Sequence, residues 1–207
     1  MEKWLLSAKR ASVNKIEPVL ITVLRHGKVE GLAGVLRGAS DDALSQEGSM
    51  QMERSLGRLE CRSYDWVATS PSRRCYDFAI DYAERIDRPL QVIQEFREIS
   101  FGTWEGLRPD EVGSEEYGAF IKGMSAPPQG EPVAEFHKRV AKAWAEWMNQ
   151  PCGKRRLLVT HAGVMRALMV ELFGLTLQQA SQLALPEAAC LRISHLEGQL
   201  PFLLSLN

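Results

Sequence analysis

Apolar positions along this chain fall into two alternating patterns, short unbroken runs and stripes spaced by three or four residues. The first run, Val19–Leu24 in "VLITVLRHG", has the length of a strand buried on both faces. It stops abruptly on Arg25, His26 and Gly27. A second run, in "RRLLVTHAG" (Arg155–Gly163), ends the same way at His161. "DWVATS" (Asp65–Ser70) and "PLQVI" (Pro89–Ile93) predict two more strands, and "CLRISHLEGQLPFLLSL" predicts a final pair joined near Glu197–Gly198.

The stripes lie between these runs. Met52, Leu56 and Leu59 behind a Ser45 cap predict a helix to about Glu60, and Pro71 opens another through about Arg85. Pro132 at a first helical position, then Val133, Phe136, Val140, Trp144 and Trp147, predicts an amphipathic helix to about Asn149. "GVMRALMVELFG" reads as a buried helix ending at Gly174. Strands alternating with helices predict a layered α/β domain with a mainly parallel sheet. Gly27–Gly48 reads as a long surface loop, and 107–131, rich in Gly, Pro and acids, as an irregular cap with one short helix. Residues 1–18 are expected to form an N-terminal extension before a single domain over 19–207, within the usual size of one core.

Composition narrows the classes. With 25 basic and 26 acidic residues, the net charge of −1 gives no support for holding nucleic acid or an anionic membrane by bulk charge. The four cysteines, Cys61, Cys75, Cys152 and Cys190, form no CxxC pair, so a disulfide framework and a zinc ribbon are not indicated. A reduced, cytoplasmic setting is expected. No apolar segment approaches membrane-spanning length. The four dispersed histidines carry no paired spacing, which predicts no metal centre.

In an open parallel sheet the ligand crevice lies beyond the carboxyl ends of the strands. Arg25–His26, His161 and the "SPSRRC" segment with Ser70, Arg73 and Arg74 all fall there. Converging cations, glycines that permit close backbone approach and a helix start after His161 suit a phosphate dianion. A neutral imidazole can attack phosphorus and split the displacement into two steps. The departing alkoxide then needs a proton, and "EFREISFGTWEG" offers Glu95, Glu98 and Glu105. Trp104, Glu105 and Gly106 read as a turn supporting the site wall, and Arg73, His137 and His195 as surface or packing residues.

Taken in order, "LRHG", "SPSRRC", "REISFGTWEG" and "VTHAGVMRAL" resemble the signature blocks of the histidine phosphatase superfamily, from about Val19 to the C-terminus. The resemblance implies the phosphoglycerate mutase-like fold, a three-layer α/β/α sandwich. "GVLRGASDDALSQEG" and "PPQGEPVAEFHKRVAKAW" are similar to the α-ribazole phosphatases of cobalamin biosynthesis. By this resemblance His26 is the nucleophile that becomes phosphohistidine, beside Arg25. Arg74 is the second phosphate arginine, His161 the second pocket histidine and Glu98 the proton donor. The Ala162 amide and Gly38 are expected in substrate binding, with Lys28, Glu30 and Arg37 as candidates for leaving-group recognition, and the resemblance requires no metal or other cofactor. Lys28 and Val29 stand where acidic and hydroxyl residues are common in the family, Ser72 where leucine is frequent and Ala162 where glycine is. The implied activity is hydrolysis of a small-molecule phosphomonoester, with a mutase and a non-catalytic phospholigand-binding protein as rivals, and a homodimer as one candidate assembly.

Overall fold

In the computed structural model, which describes residues 17–59 and 63–207, the strands and helices form three layers. The strands are β1 (Val19–Arg25), β2 (Trp66–Thr69), β3 (Leu90–Val92), β4 (Arg155–Thr160), β5 (Cys190–His195) and β6 (Phe202–Leu206). They make one six-stranded sheet in the order β3-β2-β4-β1-β5-β6. Strands β1 to β4 pair in parallel, and β5 runs antiparallel to both neighbours, so the sheet is mainly parallel.

Period-two alternation assigns each strand residue to a layer. On one face Ile21, Val23, Leu158 and Ile193 pack beneath α5 (Val133–Met148) and α6 (Ala162–Phe173). On the other, Leu24, Leu157, Val159 and Cys190 pack beneath α1 (Gln46–Gly57) and α2 (Arg73–Arg85). Each helix buries residues at helical spacing: Met52 and Leu56 in α1, Cys75, Phe78, Ala79 and Ala83 in α2, Phe136, Val140, Trp144 and Trp147 in α5. Ser45 caps α1 by accepting from the Gly48 amide at 3.0 Å. Cys75, Cys152 and Cys190 are buried free thiols, while Cys61 lies outside the described residues, as does the expected N-terminal extension through residue 16.

Three expectations change. The segment 107–131 holds two helices, α3 (Pro109–Val112) and α4 (Ser114–Ile121), where one was expected. The Glu111 carboxylate accepts from the Arg108 amide to start α3, Gly113 at φ 103 breaks the chain, and Phe120 of α4 is buried in the core. The two prolines expected to open helices precede them instead: Pro71 lies before the Ser72 cap of α2, which starts at Arg73, and Pro132 is extended and caps α5, which starts at Val133. An additional helix, α7 (Leu177–Ser181), follows a Thr176–Gln179 capping box.

Among the described residues no helix is long and apolar enough to cross a membrane.

Candidate active site

The register of the sheet decides what meets at its carboxyl edge. Arg25 lies opposite Thr160, the His26 amide donates to the Thr160 carbonyl at 2.9 Å, and the Ser70 amide donates to the Val159 carbonyl at 3.0 Å. The ends of β1, β4 and β2 are thereby level, and His26, His161 and Ser70 share one pocket floor. The imidazole rings of His26 and His161 lie 5.4 Å apart, edge to face.

Each ring is fixed by its neighbours. His26 Nδ1 is 2.8 Å from the Gly27 carbonyl oxygen, so Nδ1 carries the proton and Nε2 keeps a free lone pair. Gly27 holds this turn against the start of α1, where a Cβ would come within 2.2 Å of the Gly48 carbonyl oxygen. Burial, reinforced by Arg25, lowers the His26 pKa to about 3. At His161, Nδ1 accepts from Arg74 Nε at 3.3 Å and Nε2 donates to Ser70 Oγ at 2.7 Å. Burial and the Arg74 charge hold it neutral as well.

Arg74 has no exposed surface, and its guanidinium also donates to the carbonyls of Gly38 at 2.9 Å, Arg37 and Ser40. Arg25 donates to the Leu185 carbonyl, while its buried Nε has no hydrogen-bond partner among the described residues. Burial lowers the Arg25 pKa. Two desolvated guanidiniums beside two neutral imidazoles make a cradle for an anion.

Glu98 faces this floor from a different segment. Its carboxyl accepts from the Gly163 amide at 2.9 Å and from the Ile99 amide at 3.1 Å, and burial raises its pKa despite both bonds. The supporting turn is tied to α5 by Arg139, which donates to the carbonyls of Glu95, Arg97 and Glu98 at 2.6, 2.9 and 3.0 Å. The same guanidinium pairs with both oxygens of Glu131 at 2.6 and 2.7 Å. Glu105 accepts from the amides of Gly38, Ala39 and Phe101, the wall support expected of that turn.

These groups open onto a cavity of about 380 Å³. Arg25, His26, Glu98, Ala162, Lys28 and Arg37 line it, whereas Arg74 and His161 lie behind its floor. Lys28 and Arg37 reach the cavity while paired with Glu47 at 2.6 Å and Asp42 at 3.2 Å. Gly38 lies behind the cavity lining, where its carbonyl orients Arg74 and its amide binds Glu105. His137, read as surface or packing, is half-buried on the cavity wall against Phe136. Arg73 is exposed and pairs with Asp77 at 3.6 Å. Tyr117, Arg166 and Glu187 also line the cavity and were not singled out from the sequence. The available signal for Arg166 was a lone cation one turn past Ala162 on an otherwise apolar helix. Among the described residues no three His, Cys, Asp or Glu side chains gather as a metal site.

Buried guanidiniums, neutral imidazoles and a buried carboxyl thus gather around one cavity. The family model of the histidine phosphatase superfamily, branch 1, matches residues 21–207, and this chain belongs to that superfamily. Among its relatives, phosphoserine phosphatase 1 of Hydrogenobacter thermophilus is 27% identical over 197 residues, covering 91% of this chain and 92% of that one. The phosphoglycerate mutase of Schizosaccharomyces pombe is 28% identical over 172 residues, 77% of this chain and 82% of that one. A solved structure from Escherichia coli K-12, provisionally described as an α-ribazole-5′-P phosphatase, shares the fold at TM-score 0.79 and 24% identity, covering 91% and 96% of the two chains.

Proposed function

We propose that this chain is a metal-independent phosphomonoester hydrolase working through a phosphohistidine at His26. The observation that carries the reading is the pairing of a buried neutral His26, its Nε2 free, with a buried Glu98 whose pKa is raised. In the first step Nε2 attacks phosphorus, the P–O ester bond breaks, and the Glu98 proton passes to the departing oxygen. In the second, Glu98 takes a proton from water as the water oxygen attacks phosphorus. The P–N bond then breaks, inorganic phosphate leaves, and both groups return to their starting state. Arg25, which lines the cavity, holds the phosphoryl oxygens in both steps, and the Ala162 amide at the start of α6 faces the same anion; Arg74 and His161, just behind the floor, join them by exchanging their bonds to Gly38, Ser40 and Ser70 for the anion. Helix α4, within 107–131, serves as the cap, since Tyr117, Phe120 and Ile121 line the cavity.

Two leaving groups fit the family. α-Ribazole 5′-phosphate is supported by the sequence likeness and by the apolar wall of Leu32, Phe101, Phe120, Ile121 and Leu177. Phosphorylated carboxylic acids are supported by the names of the relatives, since phosphoserine and phosphoglycerate each carry a carboxylate. The mutase relative also favours a second reading, in which the phosphoenzyme returns its phosphoryl group to an acceptor instead of to water.

The test is phosphate release from both substrate classes with a chelator present, together with an alkaline denaturing quench of the enzyme followed by acid treatment. Chelator-insensitive release, an acid-labile phosphoenzyme and loss of both in His26→Ala are expected. Turnover that survives in His26→Ala overturns the reading, and label passed to an acceptor without phosphate release replaces it with the mutase.

A further inference from the structure

Four cationic side chains line the cavity: Arg25, Lys28, Arg37 and Arg166. Lys28 and Arg37 have carboxylate partners in Glu47 and Asp42. Arg25 and Arg166 have none within ion-pair distance among the described residues, and each keeps a buried Nε with no hydrogen-bond partner. Arg166 makes one long bond, from Nη2 to the Leu183 carbonyl at 3.3 Å. A guanidinium that keeps a buried N–H without a hydrogen-bond partner bears a cost, and that cost is tolerated where an anion arrives.

The anion for Arg25 is the phosphoryl group. Arg166 lines the same cavity beside the acid, and its charge also acts on Arg25. It lies one turn along α6 from Gly163, whose amide holds Glu98, and its charge acts on Glu98 and on Tyr117 of the cap helix. In the proposed reaction Glu98 protonates the departing oxygen, so a group bound beside Glu98 by Arg166 belongs to the leaving group.

We infer that Arg166 forms a second anion subsite, which reads a carboxylate on the leaving group and makes phosphorylated carboxylic acids the substrate class. A planar guanidinium with unmade N–H bonds matches a carboxylate in two parallel bonds, which a hydroxyl or ribose edge does not offer. α-Ribazole 5′-phosphate would fill the apolar wall yet leave Arg166 unpaired. The inference rests on the hydrolase reading.

The experiment compares two pairs of esters that differ at the carboxylate: O-phosphoserine with O-phosphoethanolamine, and 3-phosphoglycerate with glycerol phosphate. Each is measured as kcat/KM in wild type, Arg166→Gln and Arg166→Lys. A charge-assisted contact predicts about a 10-fold or greater preference for the carboxylate member of each pair in wild type. That ratio is expected near 1 in Arg166→Gln and intermediate in Arg166→Lys. A wild-type ratio near 1, or a ratio unchanged in Arg166→Gln, overturns the subsite, and the wild-type ratio judges it even where a variant does not fold. If wild type turns over none of these esters and no phosphoenzyme forms, the hydrolase reading fails separately. Calorimetric binding of the same pairs then judges Arg166 alone: tighter phosphoserine supports the subsite and equal binding overturns it.

Discussion

Gly163→Ala tests the acid without touching its carboxyl group. A Cβ at this position would lie 2.1 Å from Glu98 Oε1 and 2.9 Å from its Cδ, closer than real Cβ contacts of 3.0 Å or more. The backbone here belongs to α6, so the Glu98 carboxyl is what yields, by about 1 Å, a misplacement that costs on the order of 100-fold in rate. Stability moves little: alanine gains up to about 1 kcal/mol in helix propensity, set against about 1–3 kcal/mol for overpacking. A melting temperature within a few degrees of wild type is expected. The assay is kcat/KM on an alkyl phosphomonoester and on p-nitrophenyl phosphate, whose leaving group departs without a proton. The alkyl ester should lose about 100-fold and the aryl ester about 10-fold or less. The double variant with Glu98→Gln should be no slower than Glu98→Gln alone, because both changes act on one group. Equal losses on both esters, or a further loss in the double variant, would refute the role assigned to Glu98.

Three other outcomes follow from the same geometry. Glu98 must be protonated to donate, so its raised pKa places the alkaline fall of kcat above the ordinary carboxylate range; Glu98→Gln should abolish that limb, and a pH profile that keeps it contradicts the assignment. The folded state holds His26 neutral down to about 3, whereas the unfolded chain protonates it near 6.5. The associated stability is therefore complete above pH 6.5 and declines as pH falls toward 3, by about 4–5 kcal/mol at the lower limit. Thermal unfolding between pH 7 and pH 4 should show a visibly flatter slope in His26→Asn. Arg139→Ala strands the half-buried Glu131 carboxylate and frees the carbonyls of the Glu98 turn, a cost of about 3–5 kcal/mol or roughly a 10 °C fall in melting temperature. Arg139→Lys should recover part of it, and a melting point unmoved in Arg139→Ala would show that the clamp does not hold the turn.

What was legible in the sequence follows from range. β1 and β4 announced themselves because an unbroken apolar run that stops at Arg25–His26 or at His161 is a local pattern, and parallel strands put both stops on the same edge. The Ser45 cap and the Met52–Leu56 stripe are local too. Arg74 could be recognised by its motif, but its work depends on the Gly38 and Ser40 carbonyls more than thirty residues away, which no spacing reveals. The same distance hides the bond from the Gly38 carbonyl to Arg74. α7 carried a readable Thr176–Gln179 box but too short a stripe to separate from a turn. Arg166 sits on a helix with an almost continuous apolar surface, where a lone cation has no periodic partner and only the folded cavity shows what it faces.

The cost of ending two core strands on ionisable groups becomes intelligible when the charges are taken together. Burial and the field of Arg25 and Arg74 both disfavour imidazolium, so His26 and His161 are neutral before an anion enters. A neutral His26 is the form that can attack phosphorus, and it stays available down to low pH because the cations that would bind phosphate also keep protons off it. Arrival of a dianion cancels that field, which stabilises any positive charge that develops on the histidine as the P–N bond forms. Glu98 has the opposite need, a retained proton, and burial at the cavity wall raises its pKa toward that state despite two accepted amide bonds. One cause, desolvation, thus pushes a base and an acid toward opposite protonation states.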